Sequence, residues 1–180
     1  VSDVSARVAW ASDADAIARV QIAAWRSSYA DVVAPSVLNA LDPTAFARSW
    51  SDALAKPADA RSRVLVALER NRVKGFAITG PAPDPDADPV ADGMVDEFTI
   101  DPESVRAGHG SRLIQACIDT LRADRFTRAT CWIRTTDDAF RAFLESAGWA
   151  PDGATRELEA ETGERVRQVR LHTSLSTDQD

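Results

Sequence analysis

The sequence predicts a mixed α/β fold, a sheet with helices packed on it. Three observations point there: hairpin-linked strand patterns within residues 62–79, a strand–helix–strand unit across 94–135, and amphipathic helical patterns on either side. Hairpins mixed with one crossover unit imply a mixed sheet, not a doubly wound parallel one. The 180 residues suit one domain, expected at 1–175 with a loose tail at 176–180. Apolar residues make up 44%, enough for a substantial core.

The elements follow in chain order. "SARVAWA" reads as a first strand and "SDADAIARVQIAAW" as a helix. Ser12 and Asp15 have capping-box spacing, and Ile17, Val20 and Ala24 recur at helical intervals. Residues 34–55 predict one or two short helices broken at Pro43. Val64, Val66 and Leu68 form a strand pattern, with a turn near Asn71 and a second strand from Val73 to Thr79. Residues 80–93 carry Pro81, Pro83, Pro85 and Pro89 among Asp84, Asp86, Asp88 and Asp92, the pattern of a mobile acidic loop that does not pack. "MVDEFTI" resumes as a strand, with Met94, Asp96, Phe98 and Ile100 on one face and Val95, Glu97 and Thr99 on the other. A helix follows over 110–124 and a strand over 128–135. A second helix has Thr135 and Asp138 at capping-box spacing and a stop at Gly148, and a last strand covers 166–175.

Composition excludes several classes. A net charge of −7 argues against nucleic-acid binding, which needs clustered Lys and Arg. Cys117 and Cys131 make neither a disulfide framework nor a zinc site, and two distant histidines give no metal centre. No apolar run is long enough to span a membrane, and the first residues lack a signal pattern, so the expected compartment is the cytoplasm.

Gly108 and Gly110 stand where a strand gives way to a helix. The first N–H groups of a helix have no partner inside it and carry the positive end of its dipole. Small residues there let an anion approach, so a strand, a glycine turn and a helix start make a pyrophosphate cradle. The other reading of the motif alone is that Gly108 and Gly110 only shape a turn. A P-loop is excluded because "GHGSRL" has no lysine, and the dinucleotide fingerprint because position 113 is Leu113.

"DEFTIDPESVRAGHGSRLIQACID" resembles the acyl-CoA-binding motif of the GCN5-related N-acetyltransferase (GNAT) family. Ile100, Asp101, Pro102, Glu103, Gly108, Gly110, Ser111 and Leu113 fit it. Val105 stands where the family has Gln or Arg, with Arg106 one place later. "DDAFRAFLESAGWAPDG" is similar to the family's late helix, with Asp137 for Asn, Phe140 for Ala and Leu144 for Tyr. The resemblance implies a central mixed, mostly antiparallel sheet flanked by helices, acetyl-CoA as co-substrate, and N-acetyltransferase activity by direct attack. The acceptor would be a primary amine on a small metabolite, an aminoglycoside-like antibiotic, a peptide N-terminus or a lysine. Homodimers are common in the family, and nothing in this chain specifies one.

The resemblance also assigns roles. Main-chain amides of Arg106, Ala107, Gly108, His109, Gly110 and Ser111 would hold the pyrophosphate. Phe98, Thr99 and Ile100 would pair with the pantetheine arm and polarise the thioester carbonyl. Glu97 beside them would be the base for the amine, or else a solvated strand residue; Asp96 is the poorer choice on an otherwise apolar face. Trp25, Trp50 and Tyr29 would wall the acceptor pocket, with Trp25 and Trp50 alternatively core anchors. Trp132 reads as core, His172 as structural, and His109 as facing a phosphate or lying exposed in a loop. The acidic loop steers cations or is a solvated linker. The family's usual general acid is the tyrosine that Leu144 replaces, so a second reading is an acyl-CoA-binding module with reduced catalysis and a sensing or partner-binding role.

Overall fold

The computed structural model describes residues 3–31, 33–159 and 163–176. All of the expected tail beyond Ser176 lies outside the described residues. Seven strands form one sheet: β1 (Val4–Val8), β2 (Arg63–Glu69), β3 (Arg72–Pro81), β4 (Asp92–Ile100), β5 (Arg128–Arg134), β6 (Ala150–Glu159) and β7 (Arg165–Ser174). Their order is β1-β2-β3-β4-β5-β7-β6, and every pairing is antiparallel except β4 with β5. The α-helices among the described residues are α1 (Ala14–Ser28), α2 (Pro35–Asn39), α3 (Pro43–Ala55), α4 (His109–Ala123) and α5 (Asp138–Ser146), and all but α2 contribute to the cores on the sheet. No helix among the described residues is long and apolar enough to cross a membrane.

Strand periodicity splits the core into two layers. Along β2, Leu65 and Ala67 join a cluster with Leu113, Cys117, Leu121 and Leu144 of α4 and α5. Val66 and Leu68 join another with Ile17, Val20 and Trp50 of α1 and α3. Successive side chains of a strand point to opposite faces, so both faces of the sheet are covered by helices. The hairpin between β2 and β3 has Arg70 at φ 47° and Asn71 at φ 64°, both left-handed, as a two-residue turn matched to strand twist requires.

Several sequence expectations change here. The strand β6 was not predicted: Pro151, Gly153 and a run of charged residues hide an edge strand whose register slips between Pro151 and Thr155. The break at Pro43 stands as the sequence predicts: two helices form, α2 ending at Asn39 and α3 opening on Pro43, with Asp42 accepting a hydrogen bond from Thr44 N. The Ser12–Asp15 capping box does not form. A 3-10 turn over Ala11–Asp13 precedes α1, and the Asp13 carboxylate bonds Trp10 N and Arg7 instead. At α5 the cap is Asp137, which accepts from Phe140 N, in place of Thr135. Gly148, at φ 94°, follows the end of α5 as the stop signal predicts.

The acidic loop also departs from its prediction. It packs, because Arg170 on β7, 7% exposed, donates to both carboxylate oxygens of Asp86 at 2.8 and 2.7 Å and to Asp152 at 2.6 Å. The Trp132 indole donates to Asp84 at 2.8 Å. Arg61 reaches the Pro89 carbonyl, and the Asp88 and Asp92 carboxylates accept from main-chain N–H groups within the loop. Composition described a solvated linker; charge pairing with distant strands makes it a strap across the sheet end.

Candidate active site

The site begins with an interruption in β4. Its pairing with β3 runs Ile78 to Asp96 and then Phe76 to Thr99, so β4 carries one residue more than its partner. That β-bulge falls at Glu97, whose φ is 53°. Two hydrogen bonds brace it: Glu97 N donates to Asp96 Oδ1 at 2.9 Å, and Thr99 Oγ1 donates to the Glu97 carbonyl at 2.9 Å. The extra residue breaks the alternation predicted for "MVDEFTI". Phe98 and Ile100 pack with Val95 against the α4 layer, whereas Asp96 pairs across to Ile78 of the α1–α3 layer. Asp96 therefore does not share a face with Phe98 and Ile100.

A notch opens beside the bulge. The parallel pairing of β4 with β5 covers only Asp92–Arg128, Gly93–Ala129 and Met94–Thr130. Beyond Met94 the strands part, and β4 keeps a strand partner on the β3 side alone. The main-chain groups of its other edge are thereby available to an extended ligand, as in strand addition.

On the α4 side of the notch lies a groove of about 600 Å³, lined by Phe98, Ile100, Arg106, Gly108, Gly110 and Phe143 among others. Phe98 stacks on Phe140 with centroids 5.3 Å apart, and Phe143 lies 6.0 Å from Phe98. The three rings make an apolar wall. Above it, the turn from Val105 enters α4 with Arg106 at φ 64° and Gly108 at φ 86°. A side chain at Gly108 would be strained by that φ, although no atom stands within 4 Å of where its Cβ would sit. Among the described residues no group accepts a hydrogen bond from the main-chain N–H groups of Val105 to Ser111, and no side chain caps α4. Unpaired donors at a positive helix end are suited to a diphosphate. Ala107 and Gly108 are exposed. His109 is not an exposed loop residue: it is 1% exposed, it begins α4, and its ring lies 3.9 Å from Glu69 Oε1, leaving only its N–H to the turn.

On the other side of the bulge lies a cleft of about 320 Å³ that reaches Trp25, Tyr29, Asp96, Glu97, Trp132 and Arg134. It shares Phe98, Ile100, Asp137 and Phe140 with the groove. A second cavity of about 480 Å³ opens between α1 and α3, shares Trp25 and Glu97, and is walled by Phe46, Trp50 and Ile78. Trp25 meets Phe46 edge to face at 5.2 Å. Glu97 is open to solvent at the mouth of these hollows, yet protein surrounds much of its side chain. That partial loss of water, and then the charge of Asp96, raise its carboxyl above the usual range.

The structure thus brings Trp25, Tyr29, Glu97, Phe98, Thr99 and Ile100 around one cleft, with the Arg106–Ser111 turn on the adjoining groove. Trp50 is a core anchor: it is buried and donates to Gln21 Oε1 at 2.7 Å, and its ring also walls the second cavity. His172 accepts from Arg128 Nε and has a structural contact, as read. Trp132 is half-buried on the cleft wall and not core. Sequence reading did not assign Arg134, Gln168 or Phe140 to the site. The last was visible only as an aromatic where the family has Ala. Leu144 is fully buried in the α4 layer, so the family's tyrosine has no stand-in at that position.

A splayed β4–β5 pair, a bulge at the split and a bare helix end define an acetyl-CoA-dependent acyltransferase fold. The chain belongs to the Acetyltransferase (GNAT) family, whose profile it matches over residues 24–149. Acetyl-CoA is the co-substrate of that family, and the unpaired amides and open groove fit it. Three solved structures have a similar fold. That of yncA from Salmonella typhimurium, with its cofactor acetyl-CoA, is 18% identical, covers 99% of this chain and 98% of that one, and has a TM-score of 0.71. The ribosomal-protein-alanine N-acetyltransferase of Brucella melitensis is 18% identical over 94% of this chain and 98% of its own, at a TM-score of 0.71. A GCN5-related N-acetyltransferase from Kribbella flavida is 21% identical over 96% and 98%, at 0.70. No curated protein matches the sequence.

Proposed function

We propose that the protein is a cytoplasmic N-acetyltransferase, moving the acetyl group of acetyl-CoA to a primary amine held at Glu97. One observation carries this reading: the donor-rich groove and the acidic, aromatic cleft meet on the bulged end of β4. Bound acetyl-CoA supplies an acetyl thioester, whose C–S bond breaks as the acceptor nitrogen bonds to the carbonyl carbon.

The chain's residues do the rest. The amides of Arg106 to Ser111 hold the diphosphate, and the free edge of Phe98 to Ile100 receives the pantetheine arm. A main-chain N–H at the bulge polarises the carbonyl oxygen. Glu97 takes one proton from the acceptor ammonium, making it nucleophilic. The second nitrogen proton, lost as the amide forms, balances the departing thiolate, so one net proton goes to solvent. Trp25 and Tyr29 orient the acceptor, and much of the acceleration is positioning.

Glu97 works as a base only when ionised. The rate should fall as pH drops through its raised pKa, with a limb at higher pH than an ordinary carboxylate gives. Glu97→Gln should lower kcat by roughly a hundredfold and erase that limb, with CoA affinity little changed. Thiol release followed across pH on an amine panel tests it, and an unaltered profile removes Glu97 as base. CoA binding without thiol release on any amine would make the protein an acyl-CoA-binding module, the reading that buried Leu144 favours.

A further inference from the structure

Acetyl transfer to an amine leaves one charged side chain of the cleft without work. Arg134 ends β5, half-buried, with its guanidinium carbon 4.9 Å from the centroid of Tyr29. Among the described residues no carboxylate oxygen stands within 4.0 Å of it, and its side chain donates no hydrogen bond. Every other arginine that is not exposed bonds a carboxylate or a carboxamide. An unpaired, part-desolvated guanidinium on a cavity wall is a place for an anion. It belongs to the acceptor side, because it lines the cleft with Tyr29, Asp96 and Glu97 and does not line the groove below the Arg106–Ser111 turn.

The second cavity supplies the other half of the argument. Glu97 is its one charged residue, and Phe46, Trp50, Ile78 and Ala53 make its walls apolar. Glu97 and Trp25 border both hollows, so a nitrogen at Glu97 sits where the charged cleft and the apolar cavity join.

Resting on the acetyl-transfer reading, we propose that the acceptor is a small amino acid with a neutral apolar side chain. Its amine lies at Glu97, its carboxylate on Arg134, and its side chain in the cavity between Trp25, Phe46 and Trp50. A peptide N-terminus or a lysine side chain offers no anion next to the amine and would cover Arg134 without pairing it, which costs desolvation. A polycation would bring like charge against it.

The test compares L-phenylalanine and L-leucine with their carboxamides, which keep the amine and side chain and lose the charge. The wild-type protein should favour each acid in kcat/KM by roughly ten- to a hundredfold. Arg134→Ala should collapse that ratio toward one, and Arg134→Lys should restore part of it. Product binding gives a readout free of turnover: in the presence of CoA, calorimetry should find N-acetyl-L-phenylalanine binding more tightly than its amide, with the difference lost in Arg134→Ala. Amides or short peptides acetylated as fast as the acids overturn the proposal while leaving the acetyltransferase reading intact. Acid-selective product binding that depends on Arg134, without turnover of any amine, upholds this acceptor class and overturns the transfer reading instead. Equal losses for acid and amide in Arg134→Ala overturn the specificity role, since a purely structural part would lower both together.

Discussion

Two loops at opposite ends of β4 differ in almost every physical respect. The acidic strap between β3 and β4 is rich in charge and proline, and its carboxylates are paired with Arg170, Trp132 and its own main chain. The turn into α4 is small and glycine-bearing, and its main-chain donors are unpaired among the described residues. Satisfied polar groups hold a structure together; unsatisfied ones are what a ligand can use. Composition alone suggests the reverse assignment, because a run of aspartates looks like the solvated, functional loop.

The largest expected effect separates the two loops directly. Gly110 points at Phe143 across the groove, with its Cβ position 3.5 Å from the ring. Gly110→Glu would put bulk and negative charge where the diphosphate belongs. Loss of two charge-assisted hydrogen bonds should weaken CoA by about a thousandfold, with the urea midpoint nearly unchanged. Calorimetry with CoA and an unfolding curve measure both, and unchanged CoA affinity would remove the cradle.

Arg170→Met should do the opposite. It strips the guanidinium from Asp152 and Asp84, whose side chains are both 8% exposed, and leaves Asp152 only Arg128 and Ala154 N and Asp84 only the Trp132 indole. The expected loss is about 3 kcal/mol of stability, with CoA affinity nearly unchanged. The same variant alters the acid response. The Arg170 hydrogen bond holds the Asp86 carboxyl down to about 2. Burial opposes the lowering at Asp152, but bonds from Ala154 N and Arg170 outweigh it. Such depressed groups stabilise the fold above the usual carboxyl range, and that contribution is lost as pH falls toward their folded values. The wild-type protein should therefore lose stability between about pH 4 and pH 2, and Arg170→Met should do so less steeply.

The smallest effect sharpens the comparison at one bond. Trp132→Phe keeps the ring and removes the indole N–H from Asp84, so it should cost about 1 kcal/mol. A loss near zero would mean that the arginine contacts alone tie the strap.

Much of this was legible in the sequence because it depends on near neighbours. The β2–β3 hairpin, the amphipathic α4 and the glycine turn are signalled within a few residues. The strap was misread because its anchor Arg170 lies 84 positions from Asp86. The bulge was misread because alternation counts residues, and nothing in "MVDEFTI" marks where one is left over. His109 was placed in a loop because a histidine between glycines looks exposed, whereas the helix starts one residue earlier and turns its ring inward. The pair of carboxylates at 96 and 97 was legible as chemistry; that both reach one cleft depends on the bulge.

That leftover residue has a consequence for how the chain can change over time. Deleting it would leave β4 in plain alternation, with Phe98 and Ile100 still facing α4 and the pairing to β3 unbroken, so the strand would survive and the corner that carries the Glu97 carboxylate to the cleft mouth would be lost. The core sets the alternation of this segment; the hollows on either side of it are what the extra residue serves.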